Sequence, residues 1–120
     1  MTIEIPLRLP SLNEYIGAMN NNRYAGNGMK QKYQKQIEPY LSKLPKPFKN
    51  PVIIHFTWVE NNKRRDLDNI AFAKKFILDA LTKSGVLVDD NHNYVKGFSD
   101  DFKYEKEARV ILNFEEVEDG

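Results

Sequence analysis

The alternation of apolar and polar positions along this chain predicts four strands and two main helices. Residues 3–9 place Ile3, Ile5, Leu7 and Leu9 at a period of two, a strand closed by Pro10. Residues 11–28 are rich in Asn and Gly and read as mostly loop. Residues 29–44 form a polar, basic helix with a thin apolar stripe of Tyr33, Ile37, Leu41 and Leu44. Pro39 interrupts that helix or marks its last turns. Residues 45–51 are a turn or linker, and residues 52–59, dense in β-branched and aromatic side chains, are the strongest strand.

After a polar, basic loop at 61–65, apolar positions recur at helical spacing over 70–81 and end at Gly85. Ile70, Ala73, Ile77 and Leu81 share one face of that helix, and Asp68 or Asn69 is placed to cap it. A short strand-like run, Val86-Leu87-Val88, delivers the pair Asp89-Asp90. Residues 93–104 and 108–114 are two further strands, with 105–107 as a hairpin turn between them. That pair is expected to be antiparallel, because so short a connection cannot cross over. Residues 115–120 read as a frayed acidic tail. The order β-α-β-α-β-β predicts a small α/β or α+β fold with a mixed four-stranded sheet.

Composition narrows this picture. A chain of 120 residues is one domain, 1–120, with room for one core. Net charge is +1, so no global field attracts nucleic acid or membrane, and any polyanion must meet a local patch. The absence of cysteine excludes disulfides, thiolate zinc sites and thiol nucleophiles. His55 and His92 alone do not make a histidine-rich zinc site. No apolar leader or membrane-length run is present, which predicts a soluble, cytoplasmic protein with no membrane partner.

Candidate chemistry gathers at Arg64-Arg65-Asp66-Leu67-Asp68-Asn69 and at Asp89-Asp90. Cations beside clustered acids point to a divalent metal handling a phosphate. Mg²⁺ needs only one or two carboxylates plus a substrate phosphate, so Asp66, Asp68 and one of Asp89 and Asp90 suffice. Such an ion polarises a phosphoryl oxygen and activates water, and a lysine stabilises the growing charge. Helical projection sets Lys75 and Asp79 together opposite the apolar face, with Asp68 near them. Lys63, Arg64 and Arg65 are placed to hold flanking phosphates.

Each feature also has a plain structural reading. Asp68 serves as an N-cap, Asp66 and Asp79 as surface acids, and Asp89-Asp90 as a turn. The lysines at 30, 32 and 35 form a solvated helix face, and Phe56 and Trp58 belong to the core. Competing acid motifs fail: counted from Asp66 as an EF-hand loop, the fifth and sixth places hold Ile70 and Ala71. Asn91-His92-Asn93-Tyr94 is not the small-residue cradle of a phosphoribosyl-diphosphate loop, and no Walker-type glycine loop or hydrolase signature is present.

Taken in order, Arg64-Arg65-Asp66-Leu67-Asp68-Asn69, Asp79-Ala80-Leu81-Thr82-Lys83-Ser84-Gly85 and Asp89-Asp90 resemble the RusA family of phage- and prophage-associated Holliday-junction resolvases. Leu9-Pro10-Ser11-Leu12-Asn13 is similar to that family's opening. The resemblance implies a RusA-like fold and a homodimeric, Mg²⁺-dependent endonuclease that cuts four-way DNA in recombination and repair, with Mn²⁺ as a possible substitute. It implies Asp66, Asp68 and Asp90 as the catalytic metal ligands and Lys75 as the catalytic lysine. The interval from Asp68 to Asp79 is longer than in better-known members by about three residues, close to one helical turn, which leaves Lys74 as a competitor for that role. The DNA surface implied is Lys63, Arg64, Arg65 and Asn69 with Arg23, Lys30 and Lys32, doubled across a two-fold dimer that matches a two-fold junction. The alternatives are a non-catalytic DNA-binding protein of the same fold, with its acids used as caps and turns, or a metal-dependent nuclease of other branched DNA.

Overall fold

Strand β2 (Val52–Glu60) is the centre of the sheet in this computed structural model, which describes residues 1–118. Its alternation is what the sequence predicts. Val52, Ile54, Phe56 and Trp58 are buried on one face, while Ile53, His55 and Thr57 are half-buried on the other. Strand β3 (Val95–Tyr104) pairs with it in parallel, and β4 (Arg109–Glu116) pairs antiparallel on its other side. Strand β1 (Thr2–Ile5) completes the mixed four-stranded sheet in the order β1-β4-β2-β3.

The expected hairpin of the last two strands is therefore corrected. They run in opposite directions, but β2 lies between them. The short connection spans two strand spacings, about 10 Å, which a few extended residues cover. It is tied on the way by Glu105 N–H donating to the Glu60 carbonyl at 2.9 Å.

Strand β1 ends at Ile5 rather than at residue 9, because Pro6 has no N–H for the ladder and Leu7 N–H turns back onto the Ile5 carbonyl at 2.8 Å. The expected loop at 11–28 is helical instead. Helix α1 (Leu12–Asn21) is capped by Ser11 Oγ, which accepts from Glu14 N–H at 3.2 Å. Helix α2 (Arg23–Ile37) is capped by Asn22 Oδ1, which accepts from Ala25 N–H at 2.8 Å. Gly26 lets the two helices meet, since a Cβ there would overlap the Met19 side chain. Pro39 does end the α-helix: a 3₁₀ turn, Glu38–Leu41, follows Ile37.

The predicted helix over 70–81 is two helices, α3 (Leu67–Ala71) and α4 (Lys74–Lys83). At Phe72 and Ala73 the bonding tightens to i→i−3, with Lys75 N–H on the Phe72 carbonyl at 3.1 Å and Phe76 N–H on Ala73 at 3.0 Å. An aromatic cluster holds this offset. Tyr15 packs on Phe72 with centroids 5.4 Å apart and on Phe76 at 6.0 Å, and Phe72 meets Phe76 edge-on at 5.9 Å. The predicted apolar face survives: Ile70, Ala73, Ile77 and Leu81 are all buried with Phe76. They share one core with Ile37, Leu41, Ile54, Phe56, Val110 and Leu112, so the helices cover one face of the sheet. Neither Asp68 nor Asn69 is the cap; Asp66 occupies that position and its side chain makes no cap bond.

Gly85, at φ +85°, closes α4. Val86 N–H reaches back to the Leu81 carbonyl at 3.0 Å and Gly85 N–H to Thr82 at 3.2 Å, the paired bonds of a Schellman ending. Val86 and Leu87 are then buried as core, not as a strand, and Val88 is exposed. The supposed tail is partly ordered: Glu115 and Glu116 belong to β4, and Val117 N–H donates to the Pro51 carbonyl at 2.8 Å. Residues 119 and 120 of that expectation lie outside the described residues. Among the described residues no helix is long and apolar enough to cross a membrane.

Candidate active-site groove

The end of α3, the first two turns of α4 and the loop after Leu87 enclose a groove of about 340 Å³. Its lining is Ala71, Phe72, Lys74, Lys75, Leu78, Asp79 and Asp90. Lys75 and Asp79 lie one helical turn apart on α4, as the projection predicts. Asp90 arrives from the far side of the Schellman ending, so Gly85 and the buried Val86-Leu87 pair set its approach.

The adjacent acids Asp89 and Asp90 have different employment. Asp89 Oδ1 accepts from Asp90 N–H at 2.7 Å and its Oδ2 from Asn91 Nδ2 at 3.2 Å, which makes it the turn residue. The Asp90 carboxylate makes no side-chain bond among the described residues and faces the groove. The two lysines divide in the same way. Lys74 Nζ lies 2.8 Å from Asp100 Oδ2, whereas Lys75 is exposed and makes no hydrogen bond, ion pair or ring contact among the described residues.

Asp66 and Asp68 are exposed, and their carboxylates make no side-chain bond among the described residues. They do not line the groove. The helix expected to carry Asp68 and Lys75 in one continuous projection is divided between them at Phe72 and Ala73. Among the described residues no group of three or more His, Cys, Asp or Glu is placed to hold a metal. The expected trio Asp66, Asp68 and Asp90 thus does not form a ready three-ligand cage. Two acids share the groove lining, Asp79 and Asp90.

The expected DNA contacts also separate. Arg64 is exposed and only its backbone N–H is bonded, to Asn62 Oδ1 at 3.0 Å. Arg65 is turned inward, its side chain 14% exposed, donating to the Leu9 carbonyl at 2.9 Å and to Glu14. That engagement anchors the loop that precedes Asp66. Lys63 stands over the Tyr104 ring at 5.2 Å, Arg23 over Tyr24 at 5.4 Å and Lys32 over Tyr33 at 5.3 Å. Lys30 stands 5.7 Å over Tyr15, which also packs on the groove residue Phe72, so Lys30 belongs to the groove's side of the molecule. Asn69 is half-buried beside the buried Ile70. His92 is exposed, and His55 lies on the opposite sheet face between Ser99 Oγ at 2.6 Å and Glu115 Oε1 at 2.9 Å.

Trp58 is buried as expected, and the residue that escapes a reading of the sequence is Asp100, which meets both Trp58 and the groove residue Lys74. The signal was present in the strand pattern, where Asp100 falls between Phe98 and Phe102 on the core-facing register. No protein-family model matches this chain, and no curated protein matches it. The site is defined by its own geometry: an α+β domain with a groove carrying two carboxylates, one free lysine and one restrained lysine.

Proposed function

We propose that this chain is a Mg²⁺-dependent endodeoxyribonuclease of branched DNA, acting on four-way junctions as a homodimer. The observation that carries the reading is the meeting of Lys75, Asp79 and Asp90 in one groove beside aromatic-backed cations. The RusA-like motifs supply the substrate class, and the DNA contacts proposed are Lys63, Arg64, Asn69, Arg23, Lys30 and Lys32.

Asp79 and Asp90 would hold the ion in the groove, and Asp66 and Asp68 are the next acids along the chain, with Asp68 one turn before Phe72. When bound, Mg²⁺ supplies a polarised phosphoryl oxygen and a water of lowered pKa. The chain's own residues do the rest. Lys75 meets the non-bridging oxygen that gains charge as water attacks. Phe72 and Leu78 give the groove apolar walls beside Lys75.

The chief competitor, a DNA-binding protein whose acids are caps and turns, has less support from the motif acids: among the described residues Asp89 bonds as a turn residue, while Asp66 at the cap position makes no cap bond. One observation favours it, the separation of Asp66 and Asp68 from the groove lining. The deciding experiment is a labelled four-way junction beside linear duplex of the same sequence, each with Mg²⁺ and with a chelator. Paired, symmetric, metal-dependent nicks on the junction alone are expected. Tight junction binding without nicks, with Mn²⁺ also supplied, would overturn the nuclease reading in favour of the binder.

A further inference from the structure

Asp100 is a carboxylate on the core-facing side of its strand. It pairs in register with the fully buried Phe56, between Phe98 and Phe102, whose register partners Ile54 and Trp58 are also buried. β3 is an edge strand, and the Asp100 side chain keeps 27% of its surface exposed, so its place is set by its partners and not by burial. It has two. Trp58 Nε1 donates to its Oδ1 at 2.8 Å, and Lys74 Nζ donates to its Oδ2 at 2.8 Å.

The Lys74 end is equally constrained. Its ammonium stands 5.1 Å from the centroid of Phe56 and 4.8 Å from that of Phe98, so two ring faces and a carboxylate surround it. Lys74 is the first residue of α4, and that helix has neither a side-chain cap nor an acid in its first turn. A cation there opposes the helix dipole, so nothing within α4 favours it. What holds it comes from the sheet. Yet Lys74 lines the groove, next to the unpartnered Lys75.

We infer that Asp100 is a positioning residue: braced by Trp58, it holds the Lys74 ammonium against Phe56 and Phe98, so that Lys75 alone meets a phosphate in the groove. This rests on the groove being the cleavage site. Two adjacent free lysines would offer a phosphate two competing seats, only one of them aligned with Asp79 and Asp90. Restraining one cation sacrifices some ground-state attraction and secures a single bound geometry.

The test compares the wild type with Asp100→Asn and Asp100→Glu. The Asn amide oxygen still accepts from Trp58, but the ion pair is gone and Lys74 is released. Asp100→Asn is expected to bind a four-way junction about threefold tighter while single-turnover cleavage falls about tenfold. Asp100→Glu, which keeps the ion pair, is expected to restore most of the rate. A merely structural role would instead lower binding, rate and thermal stability together. A second measurement does not depend on activity. Trp58 is the only tryptophan, so its indole N–H gives one resonance. Lys74→Met removes the counter-charge of the carboxylate it donates to, and the resonance is expected to move.

If the wild type cleaves and Asp100→Asn cleaves at the same rate, the positioning role is overturned and the nuclease reading stands. If the wild type does not cleave, the nuclease reading fails and binding decides the brace. Tighter junction binding by Asp100→Asn with a moved indole resonance in Lys74→Met supports it, and unchanged binding with an unmoved resonance overturns it.

Discussion

Arg65 Nη1 lies 3.7 Å from Glu60 Oε1, and that carboxylate, on a residue only 5% exposed at the end of β2, is also met by Arg8 Nη2 at 3.2 Å. Arg65 therefore pins the loop that precedes Asp66 to the central strand and to the Leu9 carbonyl. Its neighbour Arg64 is left exposed, with its guanidinium unbonded among the described residues. Two adjacent arginines have separate work, and separate variants divide it.

Arg65→Ala is expected to cost about 2 kcal/mol in denaturant unfolding, because it strips the Leu9 carbonyl of a donor and weakens the compensation of a buried carboxylate. It should leave the salt dependence of DNA binding unchanged. Arg64→Ala is expected to do the reverse: stability within about 0.5 kcal/mol of wild type, and a slope of log affinity against log salt reduced by about one. A full-size loss of salt slope in Arg65→Ala would mean that its guanidinium leaves Glu60 for the DNA.

Gly85→Ala is expected to lower stability by about 1–2 kcal/mol, since a Cβ at φ +85° crowds its own backbone. The space around it is open, so the whole effect is conformational. Gly85→Asn is the control: Asn tolerates the left-handed region and should lose less. Equal losses in the two variants, read from midpoints at constant m-value, would point to a cause other than φ.

What could be read from the residues, and what could not, follows from how local each signal is. β2 and the buried face of α3 and α4 are repeats of apolar positions over several residues, and they stand as expected. The segment at 11–28 was masked by its Asn and Gly content, although Ser11 with Glu14 three residues on is a helix-start signature, and Ser11 does bond there. The pairing of β3 and β4 was illegible because direction is local and adjacency is not: nothing in residues 93–116 reveals that β2 inserts between them. The site divides similarly. Lys75, Asp79 and Asp90 line one groove because their spacing is set within α4 and its ending, whereas the division of the helix at Phe72, where Tyr15 packs from far away in sequence, is not legible in residues 66–81.

Asp90→Asn is expected to lower junction cleavage by about 100-fold or more while leaving binding equal or tighter, because a carboxylate near a phosphodiester repels it without a cation. Asp89→Asn, whose amide oxygen still accepts from Asp90 N–H, should stay within about threefold of wild type. Asp66→Asn is expected to lose cleavage by at least about tenfold if the DNA-bound site recruits the acids of the motif. Full activity in Asp66→Asn would confine the metal set to Asp79 and Asp90.

Lys75 carries the last prediction, and its lack of partners makes it clean. Its side chain is exposed on the first turn of α4. Removing it breaks no hydrogen bond, ion pair or ring contact among the described residues, so Lys75→Ala should unfold at the wild-type midpoint. Single-turnover cleavage at saturating enzyme is expected to fall about 100-fold, the scale of losing one preorganised charge at a developing oxyanion. Junction affinity should change by less than about threefold, because most of the Lys75 interaction with the phosphate it meets develops as the phosphorane forms. Lys75→Arg keeps the charge but spreads it over a wider planar group, and an intermediate rate is expected. The opposite split, with weakened binding and an unchanged rate, would make Lys75 a ground-state phosphate contact and leave the transition-state charge to another cation of the groove.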